Sequence, residues 1–293
     1  MPWLPLPGLP RISLMLWNLG PSTLDLRSKS LVMGILNCTP DSFSDGGAWS
    51  TPEAALARAL QMESEGAELI DVGGESTRPG AEPVSESEEM TRVIPVIEQL
   101  ASHSSIWISV DTRKPTVAEA ALKAGAHIVN DIHGLRDPAM RAVVAKHRAG
   151  AIVMHMQGTP QTMQDQPRYH DVVREVSDWF AQTLATCAAE GIAAEQLVLD
   201  PGIGFGKTLE HNLALLRHLR DFLVHQRPLA LGVSRKSFLG RILNSNRIED
   251  RSWPTIALSS YARSSGVAIL RVHEVQGNVH AVRMTEAILE GAA

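Results

Sequence analysis

Short runs of apolar residues alternate along most of the chain with longer stretches in which apolar positions recur every three or four residues. The short runs cover 31–36, 68–72, 106–110, 127–129, 151–154, 196–199, 229–233 and 268–272. They have the length of strands buried on both faces and are too short for helices of ordinary length. The helical patterns cover 51–66, 85–101, 115–124, 137–148, 169–190, 209–222 and 254–265, with 276–289 closing the series. Their punctuation agrees: Ser50 and Ser252 stand as N-caps, Pro52 and Pro115 in first turns, and Gly66, Gly125 and Gly191 at the ends.

Eight strand–helix units in alternation predict a single α/β domain, a closed (β/α)8 barrel of the TIM-barrel class, over residues 30–293. A doubly wound open sheet would stop at fewer strands. Residues 1–29 form a short N-terminal extension. Within it, 12–17 and 22–26 flank a turn signal at 18–21 and predict a hairpin covering the bottom of the barrel.

Composition narrows the function classes. A net charge of −5 argues against a broad nucleic-acid or anionic-membrane surface, so any anionic ligand must be held locally. The apolar start of the chain is interrupted by Pro2, Pro5, Pro7 and Pro10 and lacks a basic lead, which reads as an extension and not a signal peptide. No stretch has the uninterrupted length of a membrane span. Cys38 and Cys187 are too few for a disulfide framework or a cysteine zinc site, so a cytoplasmic location is expected.

Polar residues stand where the apolar runs stop: Asn37, Asp71, Asp111, Asn130 with Asp131, His155, Asp200, Ser234 to Lys236, and Arg271 with His273. In a parallel barrel these positions share one mouth, the face on which active sites are built. For any one of them, helix capping or an ordinary ion pair is the bland alternative; eight at one mouth favour a site. Asp111, Asn130 and Asp200 could together face the N–H donors of a flat, amide-containing heterocycle, because a buried acceptor selects a matching donor. Lys236, Arg271 and His273 come from the last two strands, where barrels often hold phosphate. Asn37 offers a neutral oxygen suited to Mg²⁺, a hard ion that takes most of its ligands from water and phosphate.

The segment PGIGFGKT at 201–208 approaches two nucleotide-binding patterns and satisfies neither. Pro201 occupies the first glycine of a P-loop, and Lys207 the third glycine of a dinucleotide fingerprint. The glycines are expected to free backbone space beside Asp200 for a flat ligand, with Phe205 either against its ring or simply packed.

Several blocks, in order, carry a resemblance: GILNCTPDSFSDGG, DVGGESTRPGA, SVDTRKP, NDI, MHMQGTP, LDPGIGFGKT, GVSRKSFLG and RVHEV. Over 31–289 the sequence closely resembles the dihydropteroate synthases of folate biosynthesis. The resemblance implies transfer of a dihydropterinylmethyl group from 6-hydroxymethyl-7,8-dihydropterin pyrophosphate to para-aminobenzoate, with Mg²⁺ as cofactor, pyrophosphate as leaving group and a homodimer as assembly. It implies Asp111, Asn130, Met154, Asp200 and Lys236 around the pterin. It places Asn37, Arg78, Arg271 and His273 on pyrophosphate, with Asn37 also on the metal, and Phe43, Thr77, Pro79, Phe205 and Ser237 around para-aminobenzoate. Asp45, Lys236, Arg271 and His273 would be the catalytic group. Two rivals are a pterin-dependent methyltransferase, which would not need the first two loop signatures, and a silent paralogue, which would be expected to lose Lys236, Arg271 or His273. Cys38, where Val is more usual, and His133, where a small residue is common, depart from the pattern.

Overall fold

The structure, a computed structural model, describes residues 15–39, 51–76, 80 and 82–290. Eight parallel strands form its centre: β3 (Leu31–Asn37), β4 (Leu69–Gly73), β5 (Trp107–Asp111), β6 (Ile128–Asp131), β7 (Gly150–Met154), β8 (Leu197–Asp200), β9 (Ala230–Leu231) and β10 (Ile269–Val272). Hydrogen bonding runs β8-β7-β6-β5-β4-β3-β10-β9, and a single parallel bridge from Leu199 to Leu229 brings β9 back to β8. The expected (β/α)8 barrel is therefore present, with its seam at the shortest strand. That strand had been expected to reach Val233. It stops at Leu231 because the chain leaves the sheet there, passing Arg235 at φ +58° to enter a helix at Ser237.

The helices are α1 (Pro52–Ser64), α2 (Glu86–His103), α3 (Pro115–Ala124), α4 (Pro138–His147), α5 (Val172–Ala189), α6 (Leu209–Arg217), α7 (Ser237–Leu243), α8 (Ser252–Ser264) and α9 (Val275–Glu290). Several differ from the sequence reading. Thr51 caps α1 by accepting from the Ala54 N–H, while Ser50 lies outside the described residues. Ser252 is the first helical residue of α8 and not its cap. α6 ends at Arg217 and continues as a 3-10 turn over Leu219–His225. α7 was not anticipated, since seven residues carry too little periodicity to stand out.

The hairpin is formed by β1 (Leu16–Leu19) and β2 (Ser22–Asp25), antiparallel across Gly20 and Pro21. It is anchored on the starts of β7 and β8. Trp17 is wholly buried and its Nε1 donates to the Gln196 carbonyl at 2.9 Å, and the Gly20 N–H donates to the Arg148 carbonyl at 2.9 Å. Leu19 lies so close to Gly150 that a Cβ there would come within 2.2 Å of its Cδ2. The hairpin thus caps the end of the barrel opposite the strand termini that carry the polar residues.

Candidate active site

Strand register builds the site. Asn37, Gly73, Asp111 and Asn130 are consecutive partners across β3, β4, β5 and β6, so they form one row at the mouth. Met154 and Asp200 are partners across β7 and β8 and stand two residues beyond Ile152, the β7 partner of Asn130. Gly73 keeps the row open: a Cβ there would stand 3.5 Å from the Asp111 Cβ and 3.8 Å from Asn37 Oδ1. One layer below, Asp71 is fully buried and accepts from Asn130 Nδ2 at 2.9 Å and from Arg271 Nε at 2.6 Å.

Arg271 reaches across from β10 and also donates through Nη2 to Asp111 Oδ2 at 2.6 Å. Burial works against its charge, but Asp71 and Asp111 more than offset this and raise its pKa. Burial pushes Asp111 up to about 7. Arg271 opposes that rise, and the charges of Asp71, Glu89 and Asp131 reinforce it. Asp200 is also raised by burial, against the pull of Lys236 and the Gly202 N–H, which donates to its Oδ1 at 2.7 Å. Lys236 is lowered to about 8 by desolvation, with Asp200 holding it up. Asp111 and Lys236 therefore sit near the point of changing charge, where small changes in a ligand shift protons, and burial shifts Asp200 in the same direction as Asp111.

The opposite wall is apolar. Phe205 packs on Ile132, Met154, Met156 and Met163, and Lys236 Nζ lies 4.4 Å from its ring centroid while donating to the Ile203 carbonyl. The wall thus carries a cation above one aromatic face. The glycine-rich loop between β8 and α6 fits it together differently from the expectation. A Cβ on Gly202 would be 1.9 Å from the His155 carbonyl oxygen and one on Gly206 2.5 Å from that of Gln157, so these two glycines let the loop press on the backbone after β7. Only Gly204, 3.0 Å by the same measure from Lys236 Cδ, faces the site.

His273 Nδ1 lies 2.9 Å from Ser234 Oγ, which also accepts from the His273 N–H at 3.2 Å. Ser237 is exposed on the first turn of α7, directly after Lys236. Phe43, Asp45, Thr77, Arg78 and Pro79 lie outside the described residues. Sequence reasoning gave no role to Asp71, which it saw only as a polar strand end, or to Lys207, which it saw only as a broken glycine pattern. Lys207 is buried, and its Nζ lies 3.1 Å from His155 Nδ1. Beside the mouth, Lys114 Nζ ties Glu75, Glu89 and the Val84 carbonyl together, and Arg113 donates to Glu75 at 2.9 Å. This network braces the segment after β4 against α2.

The mouth of the barrel thus sets the buried acceptors Asp111, Asn130 and Asp200 beside Arg271 and Lys236, the face of a (β/α)8 barrel on which enzymes build their active sites. The family model of pterin binding enzymes matches residues 33–273. The chain is 49% identical over 268 residues to dihydropteroate synthase of Escherichia coli, covering 92% of this chain and 94% of that one. It is 43% identical to the Bacillus subtilis dihydropteroate synthase, covering 92% of each. Among solved structures, Yersinia pestis dihydropteroate synthase with a sulfonamide drug superposes with a TM-score of 0.90 at 45% identity, over 94% of this chain and all of that one. The Xanthomonas albilineans enzyme in complex with 7,8-dihydropteroate gives 0.85 at 38% identity, again over 94% and all. The chain belongs to the pterin binding enzymes and, within them, to the dihydropteroate synthases.

Proposed function

We propose that the chain carries out the reaction of these relatives through the residues gathered at the barrel mouth. The methylene carbon of 6-hydroxymethyl-7,8-dihydropterin pyrophosphate loses its bond to oxygen and gains one to the para-aminobenzoate nitrogen. Pyrophosphate departs with the bonding electrons, and the arylamine gives up a proton to solvent. The observation that supports this reading best is the pairing of two opposite environments in one mouth. Asp111, Asn130 and Asp200 supply acceptors for ring N–H groups, Lys236 and Arg271 supply cations for the leaving group, and His273 adds a ring nitrogen beside them.

Asp111 and Asp200 orient the ring and stabilise positive charge that develops on it as the carbon–oxygen bond weakens. Lys236 stands over the Phe205 ring, and in this reading Phe205 borders the para-aminobenzoate site while Met154 borders the pterin. Arg271 near the end of the eighth barrel strand and His273 just beyond it receive pyrophosphate with Arg78. Phe43, Asp45, Thr77, Pro79 and Ser237 complete the second substrate's site in this reading, on the strength of the family resemblance.

Mg²⁺ fits as an ion carried in with pyrophosphate. Asn37 Oδ1 at the mouth offers one neutral oxygen, and no cluster of three acidic, histidine or cysteine residues exists among the described residues to hold an ion by itself. When bound it would offset charge on the departing pyrophosphate. The same reading includes a homodimer and a cytoplasmic location. An apolar face on α6, α7 and α8 supports the former; the two free cysteines, and the lack among the described residues of any helix able to cross a membrane, are compatible with the latter. The purified protein incubated with both substrates and Mg²⁺ should release pyrophosphate and form 7,8-dihydropteroate in equal amounts. Pyrophosphate release that does not require the arylamine, or no product at all, would remove the assignment.

A further inference from the structure

Asp71 is fully buried in the middle of β4, and both of its hydrogen bonds converge on one oxygen. Oδ2 accepts from Arg271 Nε at 2.6 Å and from Asn130 Nδ2 at 2.9 Å, while Oδ1 is buried without a partner. Arg271 is shared in turn, since its Nη2 donates to Asp111 Oδ2 at 2.6 Å. A guanidinium meant for a departing anion is thus already faced by two carboxyl groups, on β4 and β5. Anion binding alone would not call for this arrangement. A buried arginine without such neighbours would bind pyrophosphate more tightly and release it more slowly, and product release limits turnover in many enzymes.

We propose that Asp71 is a positioning residue that limits the anion affinity of Arg271 and fixes which end of the Asn130 amide faces the pterin slot. The inference rests on the reading of Arg271 as a pyrophosphate ligand given above. Two consequences follow from the geometry. Nε and one N–H of Nη2 are occupied by carboxylate oxygens, so pyrophosphate meets only the remaining donors of the fork, in a field weakened by Asp71. A carboxylate oxygen accepts, so Asn130 turns its Nδ2 toward Asp71 and leaves its Oδ1 as the acceptor for ring N–H groups.

The convergence on one oxygen makes the two roles separable. Asp71→Asn can keep both hydrogen bonds through its own Oδ1 while removing the charge, whereas Asp71→Leu removes both. The test is calorimetric titration of folded wild type and variants with inorganic pyrophosphate and with 6-hydroxymethylpterin, alongside steady-state kinetics. Asp71→Asn should bind pyrophosphate roughly 10-fold more tightly and lower kcat and KM together, with pterin affinity within about 3-fold of wild type. Asp71→Leu should lose roughly 10- to 100-fold in pterin affinity, because Asn130 loses the partner that orients it. A merely structural aspartate would weaken pyrophosphate binding when replaced. Pyrophosphate binding to Asp71→Asn no tighter than to wild type therefore overturns the inference. If Asp71→Asn does not fold, Asp111→Asn removes the other carboxylate from Arg271 and should tighten pyrophosphate likewise; unchanged or weaker binding there overturns it too. Wild-type pyrophosphate binding that survives Arg271→Leu would instead overturn the anion-site assignment on which the inference stands.

Discussion

Lys207 Nζ lies 3.1 Å from His155 Nδ1, in a contact closed to solvent. The same nitrogen donates to the carbonyl oxygens of Phe205 at 2.9 Å and His155 at 3.3 Å. Three acceptors thus match the three N–H groups of an ammonium. Burial first, then the charges of Lys207 and Arg136, drive His155 down to about 2, so its ring is neutral and Nδ1 can accept. The pair joins the glycine-rich loop, which carries Phe205, to the end of β7, which carries Met154.

Burial also pushes Lys207 down to about 7, with Asp200 pulling it back up. The folded state binds this proton less readily than the unfolded state, so stability rises with pH between about 7 and the ordinary lysine range, and is lost as pH falls toward the folded value. Lys207→Met has no such proton to lose. Its deficit against wild type in urea denaturation should therefore be larger at pH 9 than at pH 6.5, by about 1–2 kcal/mol. A deficit independent of pH would mean that Lys207 is not strained by its burial.

Gly202 makes the sharpest backbone prediction. It sits at φ +67°, and an added Cβ would be 1.9 Å from the His155 carbonyl oxygen, a backbone atom that cannot swing aside. Gly202→Ala should cost more than about 3 kcal/mol and weaken pterin binding, because Asp200 takes the Gly202 N–H. Gly191, at φ +83° with nothing within 4 Å, is the control: Ala there carries the conformational cost alone, about 1 kcal/mol. Equal unfolding midpoints for the two variants would show that the contact is not limiting.

Much of this arrangement is legible in the sequence. The helix expected over 115–124 has those bounds in the structure because its signals are local: Pro115 at the first turn, and Gly125 at φ +116° where the helix must end. The mouth residues were visible because a buried parallel strand is apolar until it leaves the sheet, so the first polar residue marks its end. What stayed hidden depends on distance along the chain. Asp71 meets Arg271 two hundred residues later, and Lys207 meets His155 fifty-two residues earlier, contacts that no local pattern encodes. α7 was missed for the opposite reason, being too short to show a period.

The raised pKa of Asp111 predicts a pH limb in ligand binding. Burial lifts it to about 7 and Arg271 holds it from going higher. As pH falls through that value the carboxylate gains a proton and loses acceptor capacity, so pterin affinity should fall below about pH 7, by at most about 10-fold per unit. Asp200, also raised by burial, acts in the same direction. Arg271→Leu removes the charge opposing protonation and should move the limb to higher pH. Pterin affinity that is flat from pH 5.5 to 8.5 would show that Asp111 stays ionised or makes no contact with the ring.

The homodimer reading is tested at the outer faces of α6, α7 and α8. A groove of about 230 Å³ there is lined by apolar side chains only, among them Leu213, Phe238, Ile242, Leu243 and Leu258. Around it Trp253 is 79% exposed and Ile242 53%, values that large apolar residues seldom reach on a monomer when they cluster. Trp253, Ala257 and Tyr261 follow one another at four-residue spacing along α8, so they share a face, and Tyr261 is itself partly exposed. A second copy meeting this face through a two-fold axis would bury it against itself, as isologous contacts do. Charge placed at its centre would be desolvated without a partner, so Ile242→Asp with Trp253→Glu, like charges that repel across a two-fold contact, should shift the protein from dimer to monomer in sedimentation velocity at micromolar concentration. Because α7 begins directly after Lys236, the same variant should also lower the thermal midpoint, an effect that rises with protein concentration only if the wild type is dimeric. A wild type that sediments as a monomer at these concentrations would refute the assembly.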